Sequence, residues 1–267
     1  MEPVISFIIP VRHQANAADW PGLKRRLSET IQSISSQNNP NWQAVIVANH
    51  GADLPDLPDG FRIEHVSFPP NAKHDIAAFD RDEVYDSFRL DKGRRVLSGM
   101  LASLPTRYFM IVDDDDLVSS HITDYVIDHI GANGWKIDKG WVWSEGQIFV
   151  PHDRFNDYCG TSLIIRSDLY ELPTSVEAAS DDYVKTFLGS HVRIGKILAD
   201  KGAQLDRLPF RGAIYRVGHR GAHSKSAHVL RSQIFNANML RKPPTLVRNL
   251  LGLRFLSKKM GREFFGS

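Results

Sequence analysis

One cysteine, Cys159, stands in 267 residues. A lone thiol excludes an intrachain disulfide framework and fits a reducing compartment. No apolar run approaches the ~18 residues needed to span a bilayer. The first apolar run, Val4 to Val11, has no basic region ahead of it and is interrupted by Ser6 and Pro10, so no signal peptide is expected. The expected location is cytoplasmic, or peripheral on the cytoplasmic face of a membrane. Internal repeats and low-complexity segments are also missing. Nor is there an excess of one charge, since 33 Lys and Arg against 31 Asp and Glu leave +2. The balance hides an asymmetry. Residues 241–267 hold seven bases and one acid, which leaves 26 bases against 30 acids in the rest. Basic residues concentrated in a leucine-rich tail, and not spread over the body, argue against nucleic acid as a partner.

What is present is ample apolar material, 42% of residues, with an ordinary 24% charged, enough for one large α/β domain or a domain with an appendage. Val4 to Val11 reads as a buried strand, with Pro10 at its end where a ladder donor can be spared. Leu23, Leu27, Ile31 and Ile34 repeat at helical spacing. Trp42 to Ala48 is a second strand, and the order strand, helix, strand predicts a right-handed parallel crossover. Arg62 to Phe68 is a third strand. Residues 71–90 show no clear period and are expected to form a flap over a site. A helix is expected from about Asp91 to Leu104, and another from Ile122 to Ile130, closed by Gly131 and Gly134. In the second half, 141–143 and 147–150 predict a hairpin, Thr161 to Arg166 a short buried strand, and Ala213 to Val217 a last strand.

The chain is organised around RYFMIVDDDD, residues 107–116, an apolar strand that ends in four carboxylates. Adjacent acids repel one another, and a hard divalent cation reverses that penalty. Mg²⁺ in particular takes one or two carboxylates plus substrate phosphates. The run predicts a metal-diphosphate site at a sheet edge. The plainer alternative is that Asp115 or Asp116 caps the helix that follows.

The ordered set ISFIIPVRHQ, LSETIQSISSQ, WQAVIVANHG, KGRRVLSGMLASL, YFMIVDDDD and YRVGHRGAHS resembles the nucleotide-sugar glycosyltransferases of the GT-A fold, above all the large family 2, over roughly residues 4–225. The resemblance implies a GT-A domain over residues 1–240. It has a Rossmann-like nucleotide-binding half at 1–118, a mixed central sheet, an acceptor-binding half at 119–240, and a C-terminal helical tail at 241–267. It implies that Pro10, Val11 and Arg12 border the nucleotide base. Asn49-His50-Gly51 stand where an acid is usual, with Asp53 further on. Lys92, Arg94 and Arg95 match the basic helix start beside the nucleotide. Asp113 and Asp115 match the two acids of the DxD motif, the first facing ribose and the second holding Mn²⁺ or Mg²⁺, with Asp114 or Asp116 assisting. His219 and His223 fall where a histidine of such enzymes reaches the metal or the diphosphate.

Inverting transfer also needs a general base. Family 2 enzymes place an acid some eleven residues before a helix-ending glycine, and counting back from Gly202 lands on His191. Ser190 would cap that helix, and the positive helix end would keep the imidazole neutral. Asp182, beside Asp181, is the other candidate, and both acids equally suit helix capping. Trp141 and Trp143 could stack on a sugar or pack in the core. The tail from Lys242 to Phe265 predicts a basic amphipathic helix, lying on an anionic membrane or packed on the body. The implied activity is metal-dependent transfer of a sugar from a nucleotide-diphosphate donor to a glycan or lipid-linked acceptor in surface polysaccharide synthesis. A nucleotidyltransferase and a non-catalytic nucleotide- or glycan-binding module are the competing readings.

Overall fold

Four short strands in the first half pair side by side in parallel, three of them apolar runs covered on both faces and the outermost, FRIEHV, leaving Arg62 and His65 exposed. In the computed structural model, which describes residues 2–74, 80–218 and 253–267, these are β1 (Ile5–Pro10), β2 (Trp42–Asn49), β3 (Phe61–Val66) and β4 (Tyr108–Ile111). Helix α1 (Trp20–Ser35) carries the chain from β1 to β2, and α2 (Arg81–Ala102) leads into β4. The chain then adds β5 (Leu117–Val118), α3 (Ile122–Asp128), β6 (Gly134–Lys136), β7 (Lys139–Trp143), β8 (Ile148–Asp153) and β9 (Leu163–Arg166). After these come α4 (Asp181–Tyr183), continued as a π-helical turn over Val184–Leu188, then α5 (His191–Asp200), β10 (Asp206–Arg207) and β11 (Ala213–Arg216). The C-terminal stretch forms β12 (Arg254–Phe255) and α6 (Lys258–Met260), the latter continued as a π-turn over Gly261–Phe265.

Two mixed sheets result. The first has seven strands in the order β10-β6-β9-β4-β1-β2-β3, and the second has five in the order β12-β8-β7-β11-β5. β1 pairs in parallel with both β2 and β4, and β2 with β3, so the carboxyl ends of four neighbours open on one edge. β9 inserts antiparallel beside β4, Tyr108 opposite Arg166. One core layer, with Leu23, Leu27, Ile31 and Ile34 of α1, packs on one face of the parallel strands. Another, with Val96, Leu97 and Met100 of α2, packs on the other.

The first crossover, the hairpin β7–β8, the strand β9 and the strand β11 lie where the sequence places them. Three expectations are corrected. The segment read as a flap is helical from Arg81 onward, with the Asp80 side chain accepting from the amides of Asp82 and Glu83 to start α2 ten residues early. Its first turns bury only Val84, which is why no apolar period shows there. The helix after the acids ends at Asp128, leaving Ile130 48% exposed, and Gly134 begins β6 instead of closing the helix. The tail is no continuous helix from Leu253 onward. β12 pairs antiparallel with β8, and Met260 and Phe264 of the following turn are buried against Leu117, Trp143, Phe149 and Ile214. The part of the tail before residue 253 lies outside the described residues. Among the described residues, no helix is long and apolar enough to cross a membrane.

Candidate active site

β4 delivers the four carboxylates at the carboxyl edge of the parallel strands, and they meet four different surroundings. The Asp113 amide donates to Thr161 Oγ1 at 2.9 Å, and its carboxylate forms an ion pair with Lys92 of α2. Burial works against the Lys92 ammonium, but the charge and hydrogen bond of Asp113, with Asp116 and Cys159 adding to them, together outweigh it and raise its pKa, so Lys92 stays charged. Asp114 is buried, with an oxygen 3.8 Å from the Arg12 guanidinium. Burial pushes its pKa up to about 6, against the pull of Arg12, and Asp115 and Asp113 add to the rise. Asp115 is half-buried between them.

Asp116 is fully buried and serves the fold. Its carboxyl accepts from Thr161 Oγ1 at 2.6 Å, Cys159 Sγ at 3.2 Å and the Arg216 amide at 3.1 Å, while its backbone oxygen accepts from Thr30 of α1 at 2.8 Å. Burial raises both the Asp116 carboxyl and the Cys159 thiol well above their ordinary ranges. One residue thereby ties α1, β11 and the loop before β9 to the end of β4. The single cysteine is a buried donor here, with no accessible thiolate.

Opposite Asp113, a pocket is lined by Lys92, Ile111, Gly160, Leu163, Tyr170, Leu188 and His191, among others. Gly160 makes room for the charged pair, because a methyl there would lie 2.7 Å from Asp113 Oδ2 and 2.9 Å from Lys92 Nζ. His191 opens α5. Ser190 stands in the capping position but makes no side-chain capping bond, so the expected cap is absent. The imidazole is held neutral, its pKa lowered to about 4, first by burial and then by the Lys92 charge, with Asp113 opposing. Its Nε2 is buried without a hydrogen-bond partner. The neutral ring expected from the helix end is thus produced by burial and a neighbouring cation.

The remaining predicted residues divide between the edge and the interior. Pro10 ends β1, Val11 is fully buried, and Arg12 reaches the acids. Asn49 and Arg95 meet each other: Arg95, 1% exposed, donates to Asn49 Oδ1 at 2.8 Å and to Asp91, while Asn49 donates to the Phe68 carbonyl at 2.6 Å. This network satisfies a buried guanidinium and braces β2 against α2. Asp53, exposed, pairs with Lys24 at 2.7 Å. Arg94 pairs at 3.1 Å with Asp181 on the surface, and the exposed Asp182 sits beside it in a turn that Ser180 caps. Asp181 and Asp182 therefore stand outside the pocket that Lys92 and His191 line. Trp143 is buried, stacked on Phe149, and Trp141 lies under the Arg211 guanidinium at 4.7 Å. His219 and His223 lie outside the described residues.

Three contributors escaped sequence reasoning. Gly160 and Thr161 shape the Asp113 end, and the Cys-Gly-Thr triplet just ahead of a buried strand was the available signal. Arg216, 2% exposed, pairs with Glu29 and lies 4.6 Å over the Trp143 ring, a long-range role with no local signature.

No protein-family model matches the chain, and no curated protein matches it in sequence. Among solved structures, the chain is similar to residues 1–349 of S. aureus TarS at 11% identity and a TM-score of 0.45, covering 92% of this chain and 70% of that one. A likeness that slight carries no functional statement.

Proposed function

We propose that the chain is a glycosyltransferase of GT-A architecture. It would move a sugar from a nucleotide-diphosphate donor to a glycan or lipid-linked acceptor, with inversion, in the synthesis of a surface polysaccharide. The observation that carries this reading is the carboxylate run at the end of β4, with Lys92 on Asp113, Arg12 on Asp114 and a neutral His191 across the pocket. Open α/β sheets bind ligands outside the carboxyl ends of their parallel strands. Carboxylates interleaved with cations suit a nucleotide, whose ribose hydroxyls need acceptors and whose phosphates need positive charge. Asp113 is the ribose acceptor in this scheme, and Arg12 and Lys92 supply the charge.

The donor set fits a sparsely held Mg²⁺ or Mn²⁺. Such a cation needs only one or two carboxylates beside the substrate phosphates, and among the described residues no three His, Cys, Asp or Glu side chains gather as a metal cluster. Asp116 is committed to Thr161 and Cys159, so Asp115, with Asp113 beside it, is the carboxylate that would hold the ion. When bound, the cation would neutralise charge on the leaving diphosphate.

His191 is the group that receives the acceptor hydroxyl. Its unpartnered Nε2 accepts that hydroxyl's hydrogen bond and orients its oxygen for attack. A pKa of about 4 makes full proton capture at neutral pH cost roughly 4 kcal/mol. The negative phosphates of a bound donor raise that value toward the working range. Thermal-shift screening of a nucleotide-sugar panel with Mn²⁺, followed by transfer assays with the stabilising donor, tests the reading. One donor should raise the melting temperature and be consumed, with His191→Ala slowing turnover at least a hundredfold. Stabilisation by nucleoside triphosphates alone, with no sugar transferred, would overturn it.

A further inference from the structure

Helix α1 turns a buried polar stripe toward the chain that follows β4, and its members bond that chain in reverse order. Gln37, two residues beyond the helix, donates to the Ser119 carbonyl at 2.8 Å and accepts from the Thr123 amide at 2.9 Å. Ser33 Oγ accepts from the Val118 amide at 3.2 Å, and Thr30 Oγ1 donates to the Asp116 carbonyl at 2.8 Å. Arg26 is the next position of this stripe, one helical turn before Thr30. The same order carries it to Asp115 and Asp114. Unlike the other members, it bonds nothing through its side chain. The residue is 7% exposed, its Nε is buried without a hydrogen-bond partner, and the guanidinium forms no ion pair among the described residues.

A buried guanidinium without acceptors is costly to keep. The acids around Arg26 act on it only through space. Burial lowers its pKa, while Asp115 first and then Asp114 oppose that fall. A guanidinium remains charged in a protein regardless. The other neighbours are engaged elsewhere: Asp114 lies 3.8 Å from Arg12, Asp19 accepts from the Gly22 amide at 2.9 Å, and Glu29 pairs with Arg216. Nor does the fold call for a charge at this position, since Thr30, Ser33 and Gln37 already fasten α1 to the segment after β4. A rigid fork of donors, desolvated beside the acids and bonded to none of them, suits an arriving phosphate.

We infer that Arg26 is a diphosphate ligand, taking phosphate oxygens on the α1 side of the acids as Lys92 stands on the α2 side, and that it offsets the Asp115 charge until that anion arrives. The two roles couple anion and cation. A divalent ion alone meets a carboxylate that Arg26 already counterbalances. Once the diphosphate engages the guanidinium, Asp115 is left to the ion, so each ligand favours the other. That the anion belongs to a sugar donor rests on the transferase reading; that Arg26 takes an anion does not.

Titration calorimetry of inorganic pyrophosphate and of Mn²⁺, each separately and then together, into the unaltered chain, Arg26→Gln and Arg26→Lys tests the inference. Pyrophosphate should bind about thirtyfold more weakly to Arg26→Gln, with Arg26→Lys between the two because it keeps the charge and loses the fork. Mn²⁺ alone should bind Arg26→Gln about threefold more tightly, since Asp115 has lost its counter-charge. Opposite shifts in one variant do not arise from a damaged fold. Pyrophosphate should also compete with uridine, guanosine or cytidine diphosphate. Equal pyrophosphate binding by Arg26→Gln overturns the inference. So does weaker binding of both pyrophosphate and Mn²⁺ with a lowered melting temperature, which would assign Arg26 to the fold. Pyrophosphate that binds through Arg26 without competing with any of the nucleotides overturns it as well, giving the guanidinium to a phosphate-bearing acceptor. Arg26-dependent competition with no sugar transferred from any donor would keep the anion site and remove the transferase reading alone.

Discussion

Gly160 leaves the space that the Lys92–Asp113 pair occupies, and the atoms a methyl would strike are the ends of two side chains, not backbone. Gly160→Ala should therefore fold, losing about 1–2 kcal/mol in denaturant titration, while displacing the pair and weakening donor binding on the order of tenfold. His191 gives a pH prediction. Its folded pKa of about 4 lies below the ordinary histidine value, so the unfolded chain binds the extra proton and stability falls as pH drops from about 6.5 to 4. The contribution is about 3 kcal/mol. Urea unfolding of His191→Asn against the unaltered chain should show a stability difference that shrinks across that window; a constant difference would contradict a buried neutral ring. At this scale the acids and Lys92 were legible as residues. The assignment of Asp116 to the fold was not, because its partners Thr161, Cys159 and Arg216 lie 43 to 100 positions away.

Two glycines set how closely α2 approaches the turn at residues 184–189. A β-carbon on Gly93 would lie 2.5 Å from the Val184 carbonyl oxygen, and one on Gly189 2.1 Å from that of Arg89. Backbone cannot yield as a side chain can, so Gly93→Ala should cost about 1–3 kcal/mol in chemical denaturation. The turn it displaces precedes His191, so turnover should fall along with stability. Elements with an apolar rhythm, β1, α1 and β2, are legible because their buried faces repeat at fixed spacing. The start of α2 is not, since Asp80, Asp82 and Glu83 fix it through capping and charge at the helix start, with one buried side chain in the first turns. The insertion of β9 antiparallel beside β4 had no local signal either. Register between strands some 50 residues apart is decided by packing.

On the scale of the molecule, the C-terminal stretch belongs to the body and is not an appendage. Phe264 is 1% exposed and packs where β5, β7 and β8 meet α1. Phe264→Ala should cost about 3–5 kcal/mol, read as a lower urea midpoint in a single transition. Two transitions would mean that the stretch unfolds by itself. The sequence shows a basic, leucine-rich tail, but which apolar residues turn inward depends on the second sheet, whose edges only the folded chain defines.

In the proposed transferase, the carboxylates ending β4 hold a divalent cation against a donor diphosphate. Titration calorimetry of a nucleoside diphosphate into the unaltered chain and into Asp115→Ala, each with and without Mn²⁺, is the decisive experiment. Mn²⁺ should tighten binding at least tenfold in the unaltered chain and have no effect in Asp115→Ala. Equal tightening by Mn²⁺ in both would contradict it.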